Sequence, residues 1–312
     1  MTAIIMDGKQ VAELVKDEVR REVGHLQELG VATCLATVLV GDDPASRSYL
    51  KMKHKACGEV GIISKNYELS ASASQNEVLD LIETLNRDND VHGILVQLPL
   101  PGNIDSFRII EGLLPAKDVD GLNPINLGRI SYRKHSIFPC TPKGIMALLN
   151  HYAIDIAGKH LVILNRSNLI GKPLYQLLTT VDPMQVLPLN TDMLMLNQDA
   201  TVTMCHSKTP HVDKFTREAD ILITAVGKRP EFVVTASMVK EGAVVIDVGV
   251  SRMGSKLHGD VDFESVRDRA GYLTPVPGGV GPMTIAMLLH NTVIAAAEQT
   301  KNTTVHLVKR WV

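Results

Sequence analysis

The feature that most restricts the folding of this chain is an alternation of short β-branched runs with amphipathic helical stretches, occurring in two separate series. CLATVLV (34–40), SKNYELS (64–70) and VHGILVQL (91–98) are separated by helix-length segments, the pattern of parallel strands joined by helical crossovers. The alternation pauses from residue 99 to about residue 142, where Pro, Gly, Asn and Asp concentrate in PLPGN, PAKDVDGLNP and FPCTPKG, a loop composition. It resumes in HLVILN (160–165), ATVTMC (200–205), DILITAV (220–226) and AVVIDVG (243–249). Two parallel α/β units are therefore expected, and 312 residues suffice for two cores. After the glycine-rich TPVPGGVGPMT, an apolar helix is expected over about 283–298 with no strand behind it. It should return to pack on the first unit.

Charge narrows the partners. With 21% charged residues and a formal net charge of -2, the chain has no basic field for nucleic acid or an anionic membrane, so a small-molecule ligand is expected. MTAIIMDGKQ lacks the parts of an export signal, and no apolar run approaches the roughly twenty residues that span a bilayer. A cytoplasmic location follows as an expectation. Cys34, Cys57, Cys140 and Cys205 form no C-x-x-C pair and are read as reduced, mostly buried thiols. The D-x-D-G string at Asp118 and Asp120 invites a calcium reading, but Leu122 and Arg129 stand where an EF-hand loop needs ligands. No metal is expected.

In GDDPAS, Asp43 can cap a helix whose first residue is Pro44. Tyr49 and Lys53 then share one helix face. Such a pair usually forms a solvated surface, but this helix follows a strand of a parallel sheet, where ligands gather at the carboxyl ends. Gln97 and Pro99 leave the third strand at that same edge, and the Gln97 amide can hydrogen-bond a lysine amine. Asp118 and Asp120 are either a solvated turn or a forked acceptor beside a pocket. In HLVILNRSNLIGKP a buried strand leads through a tight turn into a helix, the general seat of a nucleotide pyrophosphate, although Gly171 is its only glycine. The next strand ends in His206, Ser207 and Lys208 with no acid to bind a ribose 2′-hydroxyl. With Arg166, this edge suits a 2′-phosphate, the alternative being an ordinary polar strand end.

Taken together, VGDDPASRSYLKMKHKAC, GILVQLPLP, KDVDGLNP, PCTPKG, NRSNLIGKP, VTMCHSKTP, DVGVSR and TPVPGGVGPMT resemble the bifunctional methylenetetrahydrofolate dehydrogenase/methenyltetrahydrofolate cyclohydrolase family from about residue 7 to 298. The resemblance implies two α/β domains flanking a cleft. A folate domain spans 1–141 and 282–300, and a Rossmann-like NADP domain spans 142–281. It implies a catalytic Lys53, a Tyr49 packed on the folate and a Gln97 that tunes the lysine, with Pro99, Asp120, Gly279 and Pro282 near the substrate. It further implies NADP held by Asn165, Arg166, Ser167, Ser207 and the backbone of Val250, and a homodimer. Three features depart from the family. Asn165 stands where glycine is common, and its tolerance of left-handed backbone is expected to preserve the turn. Extra residues near 181–198 are expected to form a surface or subunit-contact elaboration, with Met193, Leu194 and Met195 as an apolar patch, and the tail 301–312 has no counterpart. Retention of Tyr49, Lys53 and Gln97 argues against a dehydrogenase without hydrolase activity. Lys53 and Asp120 argue against a folate-binding regulator without turnover.

Overall fold

The computed structural model describes residues 2–132, 137–179, 199–254 and 256–300. The extra segment at 181–198 and the tail at 301–312 lie outside them. The chain opens with β1 (Ile4–Ile5) and α1 (Gly8–Glu28), followed by β2 (Cys34–Val40), α2 (Pro44–Val60), β3 (Ile63–Leu69), α3 (Gln75–Arg87) and β4 (Gly93–Val96). Short helices α4 (Ser106–Glu111) and α5 (Pro124–Ser131) precede α6 (Cys140–His151). The second series is β5 (His160–Leu164), α7 (Gly171–Thr179), β6 (Thr201–Cys205), α8 (Val212–Thr216), β7 (Ile221–Thr224) and β8 (Val244–Asp247). A hairpin of β9 (Ser251–Met253) and β10 (Lys256–His258), then α9 (Phe263–Arg267), β11 (Tyr272–Leu273) and α10 (Val280–Gln299) complete it.

The described residues form two compact units, one of 13–140 with 285–300 and the other of 2–12 with 141–284. The first holds a parallel sheet of order β3-β2-β4, in register Val38↔Tyr67 and Val38↔Val96. Every residue of the central β2 is buried, which is why CLATVLV is apolar apart from Thr37, whose hydroxyl donates to Asn66 Oδ1 at 3.1 Å, whereas edge strand β3 is half-buried to exposed and has the polar sequence ISKNYEL. The second unit holds a six-stranded sheet of order β1-β11-β8-β7-β5-β6. Its strands pair in parallel throughout. In each sheet the first strand of its series has its successor on one side and the third on the other. That reversal is the switch point at which α/β sheets take ligands.

Two expectations need correction. Chain order puts the N-terminus with the first unit, but β1 pairs with β11 (Ile4↔Tyr272) at the edge of the second sheet, because a free ladder edge there satisfies its backbone. Nor does it hold that every apolar run is too short for a bilayer, since α10 could cross one by length and composition. Its apolar character reflects burial in the protein: 72% of its apolar stretch is buried, and Asn291 Nδ2 donates to Val119 O and Phe138 O, both at 2.9 Å. At the far end of the helix, Gln299 Nε2 donates to His92 O at 2.7 Å. The last helix therefore does return to the first unit.

Candidate active site

Helix α2 starts where its cap dictates: Asp43 accepts from Ser46 N at 2.8 Å with Pro44 in the first turn. One turn apart on this helix, Tyr49 and Lys53 meet, with Nζ 4.5 Å from the ring centroid. Lys53 is only 5% exposed, and its Nζ donates to Gln97 Oε1 at 3.1 Å. Gln97 cannot readily turn its amide around, because its Nε2 donates to Leu98 O at 2.7 Å. The oxygen is thereby kept toward the lysine. Burial is the main cause that pushes the Lys53 amine below its ordinary pKa, and the negative charge of Asp120 opposes the shift. Pro99, exposed and after a cis peptide bond, continues from Gln97 at the same strand exit.

The two aspartates of KDVDG separate sharply. Asp118 is fully buried; it joins the edge of β4 through a bridge to Ile94 and accepts from Asn123 N at 2.7 Å and Asn126 Nδ2 at 3.1 Å. Burial raises its pKa to about 7. Asp120 is half-buried and is the carboxylate whose field reaches Lys53. Next to it, Gly121 at φ +72° leaves no room for a side chain, since a Cβ would lie 2.5 Å from the Phe138 carbonyl carbon.

In the second unit the residues expected to hold a nucleotide line the carboxyl edge of the sheet: Asn165, Arg166 and Ser167 after β5, Ser207 after β6 and Val250 after β8. Asn165 is not left-handed, so its conformational tolerance does not explain its presence. Its side chain bonds instead. Oδ1 accepts from Ser167 N at 2.7 Å and Gly171 N at 3.0 Å, and Nδ2 donates to Ala225 O at 2.7 Å. The amide thus ties the start of α7 to the exit of β7. Gly171 is obligatory for close packing, as a Cβ there would sit 2.3 Å from Asn165 O. Arg166 and Ser207 are exposed; the Arg166 guanidinium forms no ion pair among the described residues, and no carboxylate stands between His206 and Lys208. These donors fit a phosphorylated ribose, and the turn offers backbone for a dinucleotide. Gly279 and Pro282 lie at the start of α10 in this unit, whereas the family resemblance had put Pro282 with the folate domain. A Cβ on Gly279 would meet Pro275 O at 2.6 Å, which restricts the position to glycine.

A parallel α/β unit with a desolvated amine–amide pair at its switch point, in one chain with a parallel nucleotide-binding sheet of Rossmann type, defines a two-domain dinucleotide-binding class. Comparison with known proteins narrows that class. The model of the tetrahydrofolate dehydrogenase/cyclohydrolase catalytic domain matches residues 6–120, and that of the NAD(P)-binding domain matches residues 139–300. The chain is 52% identical over 298 residues to the bifunctional protein FolD of Halalkalibacterium halodurans, covering 96% of this chain and 100% of that one. It is 49% identical over 297 residues to the FolD of Nitrosopumilus maritimus, covering 95% and 98%. Among solved structures it resembles the bifunctional dehydrogenase/cyclohydrolase of Campylobacter jejuni, with TM-score 0.86, 46% identity and coverage of 95% and 99%. The Trypanosoma brucei enzyme, solved with NADP and an inhibitor, gives TM-score 0.86 and 35% identity, with coverage of 96% and 99%. The chain belongs to the tetrahydrofolate dehydrogenase/cyclohydrolase family.

Proposed function

We propose that Lys53, Tyr49 and Gln97 carry the chemistry of a bifunctional enzyme that oxidises 5,10-methylenetetrahydrofolate to the 5,10-methenyl form with NADP and hydrolyses that product to 10-formyltetrahydrofolate. The observation that carries the reading is the buried Lys53 amine, held by Gln97 and covered by Tyr49. NADP, when bound, supplies the hydride acceptor. In the substrate a nitrogen lone pair assists loss of hydride from the methylene carbon, so the first step asks the protein for alignment rather than a strong base. Hydrolysis asks for more: water adds to the methenyl carbon and protons move as the ring opens. A desolvated amine beside a cationic substrate favours its neutral form and can take and return that proton at Nζ. Tyr49 presents its ring to the folate, Asp120 accepts from the pterin amino edge, and the family resemblance assigns Pro99, Gly279 and Pro282 to the substrate as well. Arg166 and Ser207 hold the 2′-phosphate, while Asn165, Ser167 and the Val250 backbone seat the rest of the dinucleotide.

The same reading makes the chain a cytoplasmic homodimer. All four cysteines are buried and none is in a disulfide, as suits a reducing compartment. Edge strand β6 presents exposed and half-buried residues and, among the described residues, an unpaired ladder edge. Incubating the purified protein with 5,10-methylenetetrahydrofolate and NADP, while following reduced cofactor and the methenyl and formyl products together, tests the activity. Formation of reduced cofactor followed by formyl product is expected, and absence of both from a folded sample would overturn the assignment.

A further inference from the structure

Two carboxylates with no part in the chemistry above lie behind the exits of β7 and β8. Asp247 is the last residue of β8 and is 3% exposed, and Asp260, just beyond the β9–β10 hairpin, is fully buried. Asp260 accepts from Thr224 Oγ1 at 2.7 Å, Val226 N at 2.6 Å and Gly227 N at 2.8 Å, so it holds the exit of β7. Asp247 accepts from Gly249 N at 3.1 Å, from Asp260 N at 2.9 Å and from Val261 N at 2.9 Å. It therefore turns the exit of β8 and anchors the segment that carries Asp260. Arg229 adds a third tie, donating to Gly259 O and Val261 O, both at 2.6 Å, while its backbone N–H donates to Ser251 Oγ at 3.0 Å.

The packing admits no alternative residue at two of the joints. A Cβ on Gly249 would lie 2.1 Å from Asp260 Cγ, and one on Gly259 would lie 1.9 Å from Asp247 Oδ2. A chain that needed only to close these loops could do so with neutral caps, without desolvating two adjacent carboxylates. What the arrangement does deliver is a rigid pair of strand exits. Those exits line an open cavity of about 650 Å³, to which Gly227, Arg229, Val250 and Ser251 contribute. Val250 itself is 56% exposed, so the residue stands open to a ligand while the residues behind it are fixed.

We infer that Asp247 and Asp260 are positioning residues that fix the backbone at 226–227 and 248–250 as a receiving surface for the dinucleotide. They act through that backbone and not by touching the cofactor. The inference rests on the NADP reading of this unit. It predicts that loosening the clamp weakens cofactor binding while leaving the chemistry of bound cofactor largely intact.

The test uses the full-length protein with Asp260→Asn, which keeps shape but replaces an accepting oxygen with a donor, and Thr224→Val, which removes one donor at nearly constant volume. NADP binding is measured directly by titration calorimetry, and KM for NADP and kcat are measured at saturating folate. For Asp260→Asn the dissociation constant and the KM for NADP should rise about tenfold or more, with kcat within about threefold of wild type. Thr224→Val should shift both constants in the same direction by a smaller factor, and it carries the test if Asp260→Asn does not fold. Unchanged NADP affinity in a folded variant would overturn the inference, as would a fall in kcat with KM unmoved, which would place the effect on the chemical step and not on cofactor binding. A wild-type protein that binds no NADP would overturn the cofactor reading and the clamp with it. Wild-type binding that survives both substitutions would remove the clamp alone.

Discussion

At the scale of single residues, the proposed chemistry rests on how completely Lys53 is removed from water. Replacing it by methionine keeps the length and removes the amine. Lys53→Met should therefore lower cyclohydrolase turnover by about 100-fold or more with the circular dichroism spectrum unchanged, as measured by conversion of methenyl to formyl product. The pH profile offers an independent check. Burial lowers the Lys53 pKa, so the rising limb of cyclohydrolase activity should lie below the range of a free lysine. Gln97→Glu places a carboxylate on Nζ, favours the ammonium and should move that limb to higher pH; an unmoved limb would remove Lys53 from the proton transfer. On the nucleotide side, Arg166 is the charged contact expected to select the 2′-phosphate. A charge-assisted hydrogen bond contributes about 1.5–3 kcal/mol, or roughly tenfold and more in discrimination. Arg166→Ala should accordingly reduce the ratio of kcat/KM for NADP over NAD by that factor.

At the scale of elements, two helices are set by contacts that lie outside their own turns. Helix α7 approaches the exit of β5 so closely that Gly171→Ala must push the backbone at Asn165 away, since the new Cβ would lie 2.3 Å from a carbonyl oxygen. A loss of about 1–3 kcal/mol in unfolding free energy is expected from such overpacking, read from urea midpoints, together with weaker NADP binding because Asn165 loses its hold on the start of α7. Helix α10 is anchored by Asn291, which donates to the buried carbonyl of Val119 and the half-buried one of Phe138. Asn291→Leu suits the apolar surroundings in volume but takes the amide donor from Phe138 O and leaves Val119 O with the weak Cys140 Sγ donor at 3.3 Å, and should cost about 1–3 kcal/mol. A variant as stable as wild type would mean that water or a local shift replaces the amide.

At the scale of the whole molecule, buried carboxylates couple folding to pH. Burial raises Asp118 to about 7, so between roughly pH 4 and pH 7 the folded chain holds a proton that the unfolded chain has released. The stability from this group is therefore complete below the unfolded pKa and is lost as pH rises through the folded one, with a slope of at most about 1.4 kcal/mol per pH unit. Asp118→Asn abolishes that proton exchange. Urea unfolding of both proteins from pH 5 to pH 8 should show wild type losing stability relative to the variant as pH rises. A constant difference between them would place Asp118 in its ionised form throughout.

Much of this architecture is written locally in the chain. The periodicities that mark β2, β4, β5, β7 and β8, the Asp43–Pro44 start of α2 and the i, i+4 spacing of Tyr49 and Lys53 all depend on neighbours a few residues away, and so are legible without coordinates. The motif strings likewise point to a folate and dinucleotide enzyme before any fold is drawn. Contacts between distant segments are not legible in this way. That Ile4 pairs with Tyr272, that Asp118 is sealed while Asp120 stays half-open, and that Asn165 bonds Ala225 without adopting a left-handed turn follow from which surfaces meet after collapse. The same holds for Asp247 and Asp260, whose burial against two glycines arises only when the exits of β7 and β8 converge with the segment after the hairpin. Spacing in sequence reports the periodicity of one element at a time, whereas desolvation and hydrogen-bond partnership are properties of the packed interior, and only the tertiary structure decides them.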